Sequence, residues 1–244
     1  MKQIQTTIGE IVRGNSEIFP PYLYEAYQST RRRAPKLALI DVPLTISEIT
    51  GPGHPISAIT TEDADLTRNA GTGGEAVGQR IILTGRVFDE AGAPLPKTLI
   101  EIWQTNASGR YLHRRDQWLG PLDPNFLGMG RTLTNTEGVY RFLTIRPGAY
   151  PWKNHPNAWR PAHIHFSLFG PTSLARVVTQ MYFPNDPLFF QDPIFSSIPT
   201  EGARQSLIAA YDHSITEPEW ALGYRWDIVL RGRDATPFEK SEVP

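Results

Sequence analysis

Two histidines one residue apart, His163 and His165, stand in the stretch NAWRPAHIHF at residues 157–166. The stretch has the composition of a β-strand, in which side chains two residues apart point to the same face. Two imidazoles on one face suit a metal ion, but a protein metal site needs three or four ligands. The pair therefore predicts half of a metal site, with a chance placement of two half-buried histidines as the alternative.

The other ligands would have to be His, Asp, Glu or Tyr, because the chain contains no cysteine. Asp186 and Asp192 belong to the turn-forming sequences NDP and QDP, in which aspartate usually caps its own backbone. The other histidines stand in loop-like or helix-end contexts and are expected to be structural or exposed: His54, His113, His155 and His213.

Tyrosine is the remaining candidate ligand. Tyr111 ends NASGRY and Tyr150 ends RPGAY, both expected where a turn meets a strand. For either one, a core tyrosine is the ordinary alternative. Two tyrosinates and a hydroxide would balance a trivalent cation, with two neutral imidazoles completing the ligands. Ionising a tyrosine at pH 7 costs about 4 kcal/mol, which a bound cation can supply. The set favours ferric iron over divalent metals.

The elements that must position these residues are predicted to be short strands. The 244 residues include 20 Gly and 22 Pro, yet 40% are hydrophobic. Turn-rich segments separate the runs RIILTGRVFD, TLIEIWQT, GVYRFLTI, AHIHFSLFG, ARVVTQMYF and YRWDIVLRG. This pattern is typical of an all-β, antiparallel β-sandwich. One short helix is predicted near 201–213, where Leu207, Ile208 and Tyr211 share a face.

Residues 1–75 are predicted to form an irregular, proline-rich N-terminal arm that packs on the body or on a partner, and residues 76–244 to form the sandwich. The formal charge of −1 argues against a general nucleic-acid binder. No apolar run is long enough to span a bilayer, and the first residues lack the apolar core of a signal peptide. We therefore expect a cytoplasmic protein.

The chain resembles the intradiol ring-cleaving dioxygenases. The matching stretches follow the family's order from about residue 27 to 239: LTISEITGP (44–52), LTGRVFDEAGAPLP, EIWQTNASGRYLH, PLDPNF, RPGAYPW, NAWRPAHIHFSLFG, TQMYF and YRWDIVLRGRDATPFE. The resemblance implies a transthyretin-like (prealbumin-like) sandwich. It also implies a non-haem Fe(III) held by Tyr111, Tyr150, His163 and His165. Ala149 replaces a proline that is frequent in the family, which puts in doubt the stiffness of the loop at Tyr150.

The resemblance also implies roles in an O2-dependent cleavage of a catechol between its two hydroxylated carbons. Tyr150 is the ligand that leaves when substrate binds and accepts a proton, and Arg160 stabilises negative charge on the substrate ring. The implied pocket residues are Tyr27, Trp103, Trp152, Gln180 and Ile194.

Protocatechuate (3,4-dihydroxybenzoate) is the expected substrate, cleaved to 3-carboxy-cis,cis-muconate. Another 4-substituted catechol such as 4-sulfocatechol is the alternative, and catechol or hydroxyquinol is a weaker one. The N-terminal arm resembles that of a β-type chain, so the expected partner is a related α chain that lacks the iron ligands. Outside the family, the sequence leaves open a zinc hydrolase built on the histidine pair and a non-catalytic sandwich module.

Overall fold

The apolar runs form strands that pair into two larger sheets and one small hairpin sheet. The computed structural model describes residues 18–38, 40, 59–169, 177–230 and 234–238, so His54 and the stretch LTISEITGP lie outside the described residues. The strands are β1 Arg80–Phe88, β2 Leu99–Trp103, β3 Met129–Leu133, β4 Val139–Ile145, β5 Tyr150–Trp152, β6 Ala158–Arg160, β7 His163–Phe169, β8 Val177–Tyr182, β9 Ala210–Tyr211, β10 Leu222–Arg225 and β11 Ile228–Val229.

The first sheet is built around β1. This strand pairs antiparallel with β4 on one side, and parallel with β10 and then β11 on the other. Strand β9 extends the sheet beyond β10. The sheet is therefore mixed, whereas the sequence predicted antiparallel pairing. Parallel neighbours require a long connection, and residues 89–221, which run from β1 to β10 and include the strands of the second sheet, provide it.

The second sheet has the strand order β3-β2-β7-β8, and all of its pairs are antiparallel. Its inner face packs on the first sheet through aromatic rings. The ring of Phe166 lies 5.9 Å from Tyr140, 6.5 Å from Phe142 and 4.8 Å from Trp226. Two sheets packed face to face over an apolar core confirm the predicted sandwich.

Strand β7 alternates between this core and the opposite face of its sheet. Ile164, Phe166 and Leu168 are fully buried in the core. Since successive side chains point to opposite faces, His163 and His165 lie together on the outer face of the second sheet. The prediction that the two histidines share a face is confirmed.

The strand predicted at AHIHFSLFG is confirmed as β7, but the longer stretch NAWRPAHIHF is divided between two strands. Strand β6 ends at Arg160 and β7 begins at His163. Pro161 between them cannot donate a ladder hydrogen bond, which favours a break. Strand β6 turns back onto β5 and pairs Tyr150 with Arg160. The break thus creates the hairpin that brings Tyr150 and Arg160 together.

The helix predicted near 201–213 is present but shorter. It is α3, Glu201–Gln205, and the other α-helices within the described residues are α1, Thr30–Arg33, and α2, Pro193–Ser196. Beyond α3, the Leu207 carbonyl accepts from Tyr182 N–H at 2.8 Å, and Ala209 N–H donates to the Tyr182 carbonyl at 2.9 Å. Pairing with the end of β8 replaces the helical hydrogen bonds there. Single 3-10 turns occupy Glu62–Ala64, Phe189–Gln191 and His213–Ile215.

Residues 18–38 lie against the sandwich. Asn154 accepts from Gln28 N–H at 2.9 Å and donates to the Ala26 carbonyl at 2.7 Å. Phe19 packs on Phe238, with ring centroids 4.5 Å apart. The division of the chain at residue 75 stays a prediction. Within the described residues, no helix has the length and apolarity that a membrane crossing requires.

Candidate metal centre and pocket

The outer face of the second sheet carries a row of side chains fixed by strand register. His165 of β7 is paired with Trp103 of β2 on one side and with Gln180 of β8 on the other. Two residues earlier on β7, His163 is paired with Tyr182 of β8. Paired residues on one sheet face lie close enough to touch, so the sheet presents two imidazoles flanked by an indole, an amide and a phenol.

Two tyrosines bring their hydroxyls to this histidine pair. Tyr111 Oη lies 3.1 Å from His165 Nε2, and Tyr150 Oη lies 3.5 Å from His163 Nε2. The two tyrosine rings are 5.4 Å apart and the two imidazoles 4.9 Å apart. Ligands bonded to one metal ion at about 2 Å are themselves separated by roughly 3 Å. Within each tyrosine–histidine pair, the two donor atoms therefore stand close to the spacing that a shared ion requires.

Both imidazoles are neutral in this environment. Burial, followed by the charge of Arg160, lowers the pKa of His163 well below its ordinary value, and the same causes lower the pKa of His165 to about 3. His163 Nδ1 lies 2.7 Å from the Pro161 carbonyl, which can only accept. The ring proton is therefore on Nδ1, and the lone pair of Nε2 faces the site.

The two tyrosines are held differently. Tyr111 lies in the loop between β2 and β3, where its N–H donates to Asp116 Oδ2 at 2.8 Å, and not beside a strand as predicted. Tyr150 opens β5, as predicted. Burial raises the pKa of Tyr111 well above its ordinary value, with Tyr150 as the next cause. Ionising Tyr111 at neutral pH therefore needs a strong local cation.

Arg160 is buried beside the histidines. Its Nη1 lies 3.0 Å from His163 Nε2 and 3.5 Å from Tyr150 Oη. Burial is the strongest single influence and works against its charge, but the Asp192 carboxylate, Tyr150 and Tyr182 together outweigh it and hold the pKa of Arg160 well above its ordinary value. A permanent cation therefore faces the donor cluster.

A cavity of about 430 Å³ opens beside the donor cluster. Its walls come from the row on the second sheet, from segment 18–38 and from α2. Four of the predicted pocket residues line it: Tyr27, Trp103, Gln180 and Ile194. The fifth, Trp152, lies behind this wall, with its ring 5.5 Å from Tyr27 and 5.7 Å from the Arg160 guanidinium carbon.

Sequence reasoning missed two residues of this region. Tyr182 lines the cavity next to His163, and its register position in TQMYF, two residues after Gln180, could have revealed it. Asp192 was expected only to cap a turn. It does cap α2, but the same carboxylate also pairs with Arg160 at 2.8 Å. His113, His155 and His213 are exposed, as expected.

The sequence model of the family described as Dioxygenase matches residues 49–232. A chain of Burkholderia cepacia named "Protocatechuate 3,4-dioxygenase beta chain" is 54% identical over 221 residues, which cover 91% of this chain and 94% of that one. The chain belongs to the intradiol ring-cleaving dioxygenases. A second Burkholderia cepacia protein, named "Protocatechuate 3,4-dioxygenase alpha chain", is 28% identical over 166 residues, 67% of this dioxygenase and 78% of that chain.

A solved structure gives the same picture of the fold. The 3-chlorocatechol 1,2-dioxygenase of Rhodococcus opacus superposes with a TM-score of 0.53 at 25% identity, covering 78% of this chain and 70% of that one. The sandwich of this dioxygenase is therefore the sandwich of the family.

Proposed function

We propose that this dioxygenase cleaves protocatechuate with O2 to 3-carboxy-cis,cis-muconate, with both oxygen atoms entering the product. The observation that carries the proposal is the convergence of four donors, Tyr111, Tyr150, His163 and His165, beside one buried arginine. The 54% identity to a chain named for this reaction, over 94% of its length, supports the same substrate.

The four donors fit a non-haem ferric ion. Among the described residues, no three His, Cys, Asp or Glu side chains are grouped to hold a metal, so the tyrosines are needed to complete a site. Two phenolates offset much of a trivalent charge, and the two buried imidazoles are already neutral. When bound, ferric iron supplies Lewis acidity that draws electron density from a catecholate ring.

Tyr150 is the proposed base. It sits on a three-residue hairpin strand, whereas the backbone of Tyr111 is tied to Asp116. The Tyr150 hydroxyl, which lies 3.5 Å from Arg160 Nη1, is the one proposed to leave the cluster when a catechol enters. A tyrosinate released in this way can take a proton from a substrate hydroxyl, which balances the charge brought in by the substrate.

Arg160 is the proposed electrostatic partner of the ring. Its guanidinium keeps its proton and is planar, and its Nη1 edge points toward the donor cluster. Negative charge that develops on an adjacent catecholate ring is stabilised by such a fixed cation without any reorganisation during the reaction.

The anionic ring substituent is proposed to bind on the side of the cavity formed by segment 18–38. Arg33 and Tyr27 line that side, with the guanidinium 4.8 Å above the phenol ring. An Arg33→Gln variant is expected to raise KM for protocatechuate about tenfold, since one charge-assisted contact is lost. It should leave KM for unsubstituted catechol within about twofold.

A related α chain is the proposed partner. Relatives of this chain carry the names of α and β chains of one enzyme. The side chains of Phe190 and Leu119 are 94% and 89% exposed, which suits burial in a protein interface. Co-expression with an α chain should yield one hetero-oligomer by size-exclusion chromatography.

Metal analysis and oxygen uptake test the proposal. The purified protein should contain iron, absorb visible light as tyrosinate–Fe(III) sites do, and consume O2 with protocatechuate. A colourless zinc protein would support the hydrolase reading instead. Oxygen uptake measured with 4-sulfocatechol, catechol and hydroxyquinol in place of protocatechuate identifies the ring substituent that the enzyme accepts. His163→Ala should lose the iron, whereas the exposed His155→Ala should retain it.

A further inference from the structure

Asp192 is a fully buried carboxylate at the base of α2, and its two oxygens have different partners. Oδ2 accepts from Arg160 Nη2 at 2.8 Å and from Nε at 3.3 Å. Oδ1 accepts from the Ile194 N–H at 3.0 Å and so caps the helix. Asp192 is 0% exposed and Arg160 is 3% exposed, so the pair is shielded from water.

Two residues of β8 also accept hydrogen bonds from the Arg160 guanidinium. Arg160 Nη2 donates to Gln180 Oε1 at 2.6 Å and to Tyr182 Oη at 3.1 Å. The Tyr182 hydroxyl in turn lies 3.3 Å from Asp192 Oδ2. With Nε and Nη2 held by these acceptors, Nη1 is the part of the guanidinium left to face His163 and Tyr150.

We propose that Asp192 is a positioning residue for this reaction: its Oδ2 orients Arg160 toward the donor cluster, and its Oδ1 places the first turn of α2. Ile194, in that turn, lines the cavity. One carboxylate therefore couples the orientation of the charge-stabilising group to the position of the cavity wall. The expected change in kcat rests on the proposed function, whereas the expected change in the orientation of Arg160 rests on the contacts alone.

The arrangement explains why a carboxylic acid side chain rather than a neutral one stands at position 192. A buried guanidinium needs a buried counter-ion, and removing one partner leaves the other unpaired in a dry environment. A planar guanidinium held along one edge by a carboxylate has a fixed plane, which a single neutral acceptor does not give. A cap alone would need only an uncharged oxygen, as Asn supplies equally well.

Asp192→Asn separates these two functions. The amide oxygen can still cap Ile194, but the negative charge opposite Arg160 is gone. We expect kcat for protocatechuate to fall about 100-fold, since a small displacement of a catalytic group has an effect of that size, while KM changes less than about threefold. Thr200→Ala is the matched control: Thr200 caps α3 through Ala203 N–H at 3.2 Å, and its loss should leave kcat within about twofold.

A double-mutant cycle with Arg160→Gln tests whether Asp192 acts through Arg160. If it does, adding Asp192→Asn to Arg160→Gln lowers kcat no further. The double variant should also melt at a higher temperature than Arg160→Gln alone, because the unpaired buried carboxylate is removed. Losses in kcat that multiply, together with independent losses in Tm, would overturn the proposal.

A crystal structure of Asp192→Asn gives a readout that does not depend on turnover. The Arg160 guanidinium should leave its place opposite His163 Nε2, while α3 stays unchanged. An unmoved guanidinium would overturn the positioning role. Oxygen uptake by the parent enzyme with protocatechuate decides the proposed function by itself, so failure of the substrate assignment and failure of the positioning role give different results.

Discussion

The indole of Trp103 lies face to face with the imidazole of His165, with ring centroids 4.8 Å apart and planes inclined by only 3°. The two residues are paired across β2 and β7, so strand register brings the rings together. The stack fixes the plane of the imidazole while Nε2 lies 3.1 Å from Tyr111 Oη. A residue that donates no metal ligand therefore orients one that can.

Trp103→Leu is expected to weaken iron retention about tenfold, because groups that orient a metal ligand contribute 10–100-fold to affinity. Trp103→Phe keeps an aromatic face and should remain close to the parent. Iron per chain after dialysis against a graded chelator measures the effect. Trp220→Leu, at a partly exposed tryptophan paired with Arg80, is the control. Equal iron retention by the Leu and Phe variants at 103 would remove the orienting role.

Gly109 sets the distance between the two tyrosine-bearing loops. Its φ is +77°, and a methyl group at this position would collide with the carbonyl oxygen of Ala149, next to Tyr150. Gly109→Ala should therefore push the two segments apart and move Tyr111, two residues after Gly109, away from His165, so that one of the three donors needed to hold the ion is displaced. We expect loss of most bound iron, measured by metal analysis of the folded protein.

Gly92→Ala is the matched control for Gly109→Ala. Gly92 has almost the same φ, +78°, but its added methyl would meet no atom within 4 Å. Both variants carry the backbone strain of about 1 kcal/mol that a side chain adds at positive φ, and only one carries the collision. Similar iron content in the two variants would show that loop spacing is not set at Gly109.

Tyr140→Phe tests the core without touching the site. The buried Tyr140 hydroxyl donates to the Trp226 carbonyl at 2.7 Å, at the point where the chain leaves β10 for β11. Removing the Tyr140 hydroxyl takes this hydrogen-bond donor away from the buried Trp226 carbonyl. We therefore expect the free energy of unfolding to fall by about 1–2 kcal/mol. Urea unfolding measures this, with the half-exposed Tyr211→Phe expected within about 0.5 kcal/mol of the parent. If Tyr140→Phe has the same free energy of unfolding as the parent, the hydrogen bond makes no net contribution to stability.

The sequence predicted the structure best where the alternation of side chains along a strand determines which face each residue occupies. Alternation in HIHFSLF places His163 and His165 opposite the core residues of β7, and this is what the structure has. It was least informative where distant backbone pairing competes with local preference. The predicted helix lost its second half to pairing with Tyr182, and Pro161 broke a strand to form a hairpin.

Side-chain pairings within the candidate site depend on long-range contacts that no local sequence pattern indicates. The QDP sequence predicted a cap at Asp192, and a cap is present. The second oxygen of that carboxylate meets Arg160, which is 32 residues earlier in the chain. Only the packing of the 3-10 turn Phe189–Gln191 against β6 and of α2 against β8 makes that pairing available, so a turn motif alone could not indicate it.

Tyr150→Phe tests the proposed base. The substitution removes the phenol oxygen that would receive a substrate proton but leaves Tyr111, His163 and His165 in place. We expect the folded variant to retain most of its iron, because Tyr150 is the donor proposed to leave the cluster when substrate binds, and the other three then have to hold the ion without it. Protocatechuate should bind at least about tenfold more slowly, since a positioned proton acceptor contributes a factor of that order or more. Stopped-flow absorbance, recorded without O2, measures binding apart from turnover, and the remote Tyr211→Phe serves as control. Binding as fast as in the parent would show that another group accepts the proton.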